Sequence, residues 1–306
     1  MNKALQINIL AVIVTHNRCS LLSRCIDFLL NQTRQVQEIL VINNASSDGT
    51  VEMLERRCVP FVTQDNFGSA GGWHRGIQHA LDQGFDAVWL MDDDGFPDST
   101  ALEALSNRLT PEVAAVSAVV VREDDPAQFV FPFPLLDVAG LPVLMGSPRK
   151  LGTLAELKSI AIDGTYPFAH FFNGALISLD AVRKIGNVNR DFFIFGDEVD
   201  YFFRLRRSGA VLSVIDALHY HPDVSQRPYS PAKVYYYLKN TLILNRRYFN
   251  ATWLRHLMAV MAVLGRTSSR NGILTALSFV CGPQSPVFYM AIVRGLRDKV
   301  GKDFNE

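Results

Sequence analysis

The chain opens as a series of short apolar blocks, each running into polar or chain-breaking residues. Residues 7–15 end in Thr15-His16-Asn17-Arg18, and residues 38–43 run into Asn44-Ala45-Ser46-Ser47-Asp48-Gly49-Thr50. Residues 59–63 precede Asn66-Phe67-Gly68-Ser69-Ala70-Gly71-Gly72, and residues 87–92 end in Asp92-Asp93-Asp94-Gly95. Blocks that are apolar at every position fit strands buried on both faces. Between them, Leu21, Leu22, Cys25 and Leu29 predict a helix over 20–32, and further helices fit 51–57, 73–83 and 99–109. A further strand fits 113–121. Repeated strand–turn–helix units predict an α/β fold with a mostly parallel sheet and right-handed crossovers.

The pattern breaks over 123–148. Pro126, Pro132, Pro134, Pro142 and Pro148 exclude a long helix and predict a long loop or small insert. Regular blocks resume with a strand over 171–178, a helix near 180–185 and an aromatic strand Phe192-Phe193-Ile194-Phe195. A helix through 208, a strand over 211–215 and the polar exit His219-Tyr220-His221-Pro222 follow. From Pro231 the chain predicts helices with loops, which divides it into an α/β domain, 1–230, and a helical tail, 231–306.

Composition changes this picture mainly through charge. The 306 residues are 48% hydrophobic with formal net charge zero, ample for one large α/β domain with additions. Residues 231–306 hold eleven Lys or Arg against three Asp or Glu, so the tail carries +8 and the remainder −8. No nucleic-acid partner is expected. A basic, aromatic-rich tail predicts contact with an anionic membrane surface; the competing expectation is a helical cap buried against the sheet or in a homo-oligomer. Four cysteines without Cys-x-x-Cys spacing fit a reducing compartment. No signal peptide opens the chain and no clean transmembrane run occurs, so a cytoplasmic location is expected, peripheral on the inner membrane face where the tail engages.

The candidate chemistry lies at the strand ends. Val88-Trp89-Leu90-Met91 delivers three carboxylates to the sheet edge where open α/β folds bind ligands. Alternation along an extended chain sends Asp92 and Asp94 one way and Asp93 the other. Paired carboxylates suit Mn²⁺ or Mg²⁺ completed by substrate phosphates. Thr15, Arg18, Asn43, Asn44 and Asp48 gather at the same edge, where Asn and Asp can pair with a base and ribose and Arg18 with phosphate. Ordinary turn chemistry also explains these residues one at a time. Asn66, Gly71 and Gly72 open a helix whose N-terminus suits an anion, at neither dinucleotide nor P-loop spacing. Asp197-Glu198 suits a general base with a raised pKa, or helix-start acids. His219 and His221 share a face, and imidazole beside carboxylates suits Mn²⁺. Trp73, Phe192 and Phe193 are candidate aromatic walls for a ligand, with core packing the competing role for the phenylalanines.

This ordered set, with Asn173-Gly174-Ala175 and Gly196-Asp197-Glu198-Val199-Asp200, resembles glycosyltransferase family 2 with a GT-A fold. It is most similar to the bacterial galactofuranosyltransferases, over roughly residues 7–225. The resemblance implies inverting, metal-dependent transfer of galactofuranose from UDP-galactofuranose to a glycan or lipid-linked glycan in surface-polysaccharide synthesis. It implies that Asp92, Asp94 and His221 hold the ion, that Asp93 contacts the donor, and that Trp73, Asn173 and Gly174 lie toward the acceptor. It places the catalytic base at Glu198. Asn43 stands where many relatives carry Asp, and Asp197-Glu198 where many carry Glu-Asp, so Asp197 stays a second candidate base. The nearest alternative is a rhamnosyltransferase using dTDP-rhamnose. A sugar-phosphate nucleotidyltransferase would carry a basic Gly-rich loop that residues 15–20 lack, and nucleotide release would distinguish a non-catalytic interaction protein.

Overall fold

The computed structural model describes residues 7–225 and 227–304, so residues 1–6, 226 and 305–306 of the expected division lie outside the described residues. The chain forms two compact units. One runs to Val188 and resumes over Tyr201–Asp223; the other takes Asn189–Asp200 and the chain from Val224 onward. The stretch Asn189–Asp200, which the sequence pattern grouped with the sheet, thus groups with the C-terminal helices.

The first unit begins with β1 (Ile9–Thr15), α1 (Cys19–Leu30), β2 (Glu38–Asn44), α2 (Thr50–Arg56), β3 (Phe61–Gln64), α3 (Gly68–Asp82) and β4 (Ala87–Asp92). It continues through β5 (Phe96–Pro97), α4 (Ala101–Ser106), β6 (Val113–Arg122), β7 (Gln128–Pro134), β8 (Lys150–Thr153), α5 (Leu154–Ile160), β9 (Thr165–Tyr166), β10 (Asn173–Ser178) and α6 (Leu179–Ile185). Helix α7 (Asp197–Leu205) precedes the long strand β11 (Ala210–His221). The main sheet runs β3-β2-β1-β4-β10-β6-β11-β5. Strands β3, β2, β1 and β4 are mutually parallel, as are β6 and β11. Strand β10 enters antiparallel between β4 and β6. All seven residues of β1 are buried, and so are the apolar residues of β4, as continuous apolar blocks require.

Two expectations change here. Helix α3 starts at Gly68, so Gly71 and Gly72 lie inside it. A Cβ on Gly72 would come within 2.5 Å of the Val14 side chain, and one on Gly76 within 2.4 Å of Val12. These glycines let α3 lie directly on β1. The proline-rich segment forms β7 and β8 rather than only loop. Phe129 and Phe133 are buried while Pro132 is exposed, and β7 pairs with β6 at a single position, so its prolines interrupt little of the ladder.

The second unit holds α8 (Pro231–Tyr248), α9 (Thr252–Asn271), α10 (Ile273–Cys281) and α11 (Ser285–Leu296). The Ser230 hydroxyl caps α8, with Pro231 opening its first turn. Its core is built on Tyr235, Tyr236, Leu242, Val263, Phe279 and Phe288. Tyr235 and Tyr236 of the aromatic tail are fully buried; the Tyr236 hydroxyl donates to the Phe304 carbonyl at 2.9 Å. Buried Lys239 pairs with Asp303 at 2.7 Å and donates to the Gly301 carbonyl.

Residues 192–195 are not a strand. A 3₁₀ turn over Arg190–Phe192 leads into Phe193 and Phe195 at positive φ, 65° and 60°. The Asn240 side-chain amide donates to the carbonyls of Phe192, Ile194 and Phe195 at 3.0, 2.9 and 2.8 Å. A side chain from α8 thereby supplies what strand pairing would otherwise provide.

Candidate active site

In the first unit, β1 and β4 lie side by side and end together, with Val14 paired to Asp92. Strand β4 stops at Asp92 and the chain turns, so the alternation expected of Asp92, Asp93 and Asp94 does not continue. Instead Asp93 and Asp94 both reach Arg18, whose Nη1 lies 2.9 Å from Asp93 Oδ1 and 2.9 Å from Asp94 Oδ2. The Thr15 hydroxyl donates to Asp93 Oδ2 at 2.7 Å. Burial raises the Asp93 carboxyl above its usual range, and Arg18 and Thr15 draw it partly back. Asp92 is half-buried at the strand end and its amide donates to the Phe172 carbonyl.

His221, the last residue of β11, completes this cluster. Its Nε2 lies 3.0 Å from Asp94 Oδ1 and its Nδ1 lies 2.7 Å from the Pro222 carbonyl. A carbonyl only accepts, so Nδ1 donates to it, which fixes the ring with Nε2 facing the Asp94 carboxylate. The donor set at Asp94 and His221, one hard oxygen and one imidazole nitrogen oriented from behind by a carbonyl, therefore fits a divalent cation. Among the described residues no group of three or more His, Cys, Asp or Glu side chains forms a ready-made metal cage. An ion here would draw further ligands from its substrate, as Mg²⁺ and Mn²⁺ sites at phosphates do.

His219 shares the strand but not this role. Its ring is fully buried, neither nitrogen has a partner among the described residues, and burial lowers its pKa to about 3. A Cβ on Gly95 would come within 2.3 Å of its Nε2, and one on Gly174 within 3.2 Å of its Nδ1. Gly174 and Asn173 begin β10 beside Met91, next to the acid turn. Asn173 is buried with its Oδ1 unpartnered among the described residues.

Several sequence candidates make hydrogen bonds that hold the turns together. Asn43 donates to Thr63 Oγ1 and accepts from the Ser46 amide. Asn44 donates to the Gly68 carbonyl and accepts from Gln64. Asp48 accepts from the Cys19 amide and the Thr50 hydroxyl, tying the start of α1 to that of α2. Asn66 accepts from the Gly68 amide at the start of α3. Trp73 is fully buried and stacked on Phe172 at 4.8 Å, so it is a core residue and not an open wall. The residue the sequence pattern passed over is Phe131 of β7. It is half-buried, with ring centroids 5.8 Å from His221 and 5.7 Å from His170. The alternation Phe129, Phe131, Phe133 was its only signal, obscured by Pro132 and Pro134.

The acid pair belongs to the second unit. Gly196, at φ 91°, packs against Asn240 and Leu244, where a Cβ would come within 3.2 and 3.0 Å. Asp197 and Glu198 then open α7. Asp197 is buried with Oδ2 unpartnered among the described residues; desolvation, reinforced by the Glu198 charge, pushes its pKa up to about 8. Glu198 lies on the exposed side of the same turn, and desolvation pushes it up to about 7. Asp200 accepts from the Tyr248 hydroxyl at 2.7 Å, a structural role.

Residues 10–162 match the family model described as glycosyl transferase family 2, and the chain belongs to that family: it is an enzyme of the glycosyltransferase class. It is 36% identical over 218 residues to galactofuranosyltransferase GlfT1 of Mycolicibacterium smegmatis, covering 69% of this chain and 70% of that protein. It is 34% identical over 227 residues to galactofuranosyltransferase GlfT1 of Mycobacterium tuberculosis, covering 70% of each. Among solved structures, mannosyltransferase PcManGT from Pyrobaculum calidifontis, in complex with GDP-Man and Mn²⁺, is similar with a TM-score of 0.55 at 18% identity, covering 96% of this chain and 81% of that one. Residues 1–349 of TarS from S. aureus match with a TM-score of 0.55 at 11% identity, covering 95% of this chain and 80% of that one. At these identities the structural likeness establishes the fold, GT-A, with a helical region following it.

Proposed function

We propose that the enzyme transfers galactofuranose from UDP-galactofuranose to a hydroxyl of a glycan or lipid-linked glycan, with inversion and with a divalent ion. The sugar rests on the two galactofuranosyltransferase relatives, and the UDP carrier on the resemblance of the sequence motifs. The observation that carries the chemistry is the His221 imidazole, oriented by the Pro222 carbonyl, with its Nε2 3.0 Å from Asp94 Oδ1 in a turn crowded with carboxylates. Asp94 and His221, with Asp92, would hold the ion, which would supply positive charge where the diphosphate departs. Arg18 and Thr15 hold Asp93, keeping the acid turn in shape, and Arg18 can exchange a carboxylate for a donor phosphate. Gly174 and Asn173 bring β10 up to this turn. In the second unit, Glu198 takes the proton from the acceptor hydroxyl. That oxygen attacks the anomeric carbon from the face opposite the diphosphate, the C–O bond to UDP breaks, and UDP leaves with the bonding electron pair. A carboxyl at about 7 balances availability as a base against basicity near neutral pH.

The test is a donor panel of UDP-galactofuranose, UDP-galactopyranose, dTDP-rhamnose and GDP-mannose, each with Mn²⁺ or with EDTA, read as released nucleoside diphosphate. Release from UDP-galactofuranose that EDTA suppresses is expected. Release of dTDP alone would overturn the donor in favour of a rhamnosyltransferase, and release indifferent to EDTA would overturn the ion.

A further inference from the structure

The outer helices of the second unit carry two apolar faces where packing uses one. On α9, Ala259, Val263 and Thr267 are buried at four-residue spacing. Trp253, Leu257 and Met261 repeat at the same spacing and are 73%, 53% and 61% exposed. Leu257 precedes Ala259 by two residues, about 200° round the helix, so the exposed stripe lies opposite the packed one. On α10, Ala276 and Phe279 are buried while Leu274 and Leu277 are exposed; on α11, Phe288 and Ala291 are buried while Val293 and Leu296 are exposed. The Tyr289 hydroxyl donates to the Val280 carbonyl at 3.0 Å, joining the outer faces of α10 and α11. Of the seventeen large hydrophobic side chains exposed among the described residues, ten lie on these three helices, so the exposure is local.

Charge decides what covers this face. From Phe249 to Arg297 the sequence holds five arginines and no carboxylate. Exposed Arg297 and Lys299 adjoin Leu296 at the end of α11, with Asp298 between them paired to Arg247. Arg255, Arg266, Arg270 and Arg294 are engaged within the chain, and a second copy of this surface would double its net positive charge without adding an anionic partner. A bilayer with anionic headgroups accepts both components, apolar side chains at the acyl boundary and cations at the phosphates. No single helix among the described residues is long and apolar enough to cross a membrane; α10 and α11 together have the length and composition of a span but are bent by 64° at their break.

We propose that α9, α10 and α11 dock the enzyme on an anionic bilayer, with Trp253, Leu257, Met261, Leu274 and Leu277 entering the acyl boundary and Arg297 and Lys299 at the headgroups. This is independent of which sugar is transferred. The test is co-sedimentation of the intact chain with phosphatidylcholine vesicles, with and without phosphatidylglycerol. Binding to the mixed vesicles at low salt, release at high salt and none to phosphatidylcholine alone are expected. Trp253→Ser, Leu257→Ser and Met261→Ser combined, all at exposed positions, should lower binding about tenfold or more. Arg297→Gln and Lys299→Gln should lower it about fivefold per charge and flatten the salt dependence. Circular dichroism checks that both variants fold. Absence of the intact chain from the mixed pellet, or folded variants that pellet like the parent, would overturn the proposal. So would a self-associated chain that ignores vesicles and turns monomeric when the three apolar residues are replaced.

Discussion

Asp197 and Glu198 are adjacent in sequence but differ in exposure, and that difference separates their expected roles. Glu198 can reach an acceptor; Asp197, buried with its pKa near 8, keeps its proton over most of the neutral range. Glu198→Gln should leave donor binding intact and lower kcat by about 10²–10⁴, the usual worth of a positioned base. Steady-state kinetics on both variants would check this; a normal kcat for Glu198→Gln with a collapsed one for Asp197→Asn would move the base to Asp197. At the other cluster, Asp94→Asn and His221→Ala should each remove the Mn²⁺ dependence of UDP binding in calorimetry. Unchanged affinity in both would remove the ion from this site.

Glycines and one asparagine set how the elements meet. Gly72 lets α3 rest on β1 with Val14 beneath it, so Gly72→Ala should destabilise by about 1–3 kcal/mol through overpacking, despite alanine's better helix propensity. Val14→Ala in the same chain should recover most of that loss. Additive destabilisation by the two changes in urea titrations would show that this contact is not the cause. Asn240 is the corresponding device in the second unit, where it holds three carbonyls of the turn that leads into the acid pair. Asn240→Ala leaves those buried carbonyls without their donor, at about 1–3 kcal/mol. Displacement of the acids by about 1 Å would lower kcat by up to about 10²-fold while the donor KM stays near its original value. A rise in donor KM with kcat preserved would argue against this positioning role.

Across the whole molecule, buried titratable groups set opposing pH limits. Burial lowers His170 and His219 to about 4 and about 3 from 6.5, so below 6.5 the unfolded chain takes up protons that the folded chain does not. Their contribution is present above pH 6.5 and is lost as pH falls through the folded values. Asp197 runs the other way. Its pKa rises from 3.8 to about 8, so its contribution is full below pH 3.8 and is lost as pH rises through 8. Glu198, raised from 4.5 to about 7, runs the same way as Asp197, so two carboxyls oppose two histidines between about pH 4.5 and 6.5, and above 6.5 the carboxyls alone remain. Urea midpoints measured in EDTA should therefore be nearly flat over that range and decline from pH 6.5 to 8, with Asp197→Asn flattening the decline. An equally steep decline in that variant would assign it to another group.

Local pattern determined much of this protein. The continuous apolar blocks of β1, β2 and β4 required buried strands, and the polar turns after them marked the sheet edge where Thr15, Arg18, Asp93 and Asp94 meet. Those signals are legible because burial on both faces and chain-breaking turns act within a few residues. Contacts between distant segments were not legible. Asn43, Asn44 and Asp48 are committed to neighbouring turns. Gly72 serves a valine on β1, and Phe131 reaches His221 from an insert that looked like loop. Residues 192–195 look like a strand on their own because four apolar residues in a row carry no information about Asn240, some 45 residues away in the sequence. Composition alone located the basic tail but not its faces, since Tyr235 and Tyr236 are as apolar and aromatic as Trp253. Only helix packing decided that the tyrosines fill a core while Trp253, Leu257 and Met261 remain outside, because burial depends on which side of a helix its neighbours occupy.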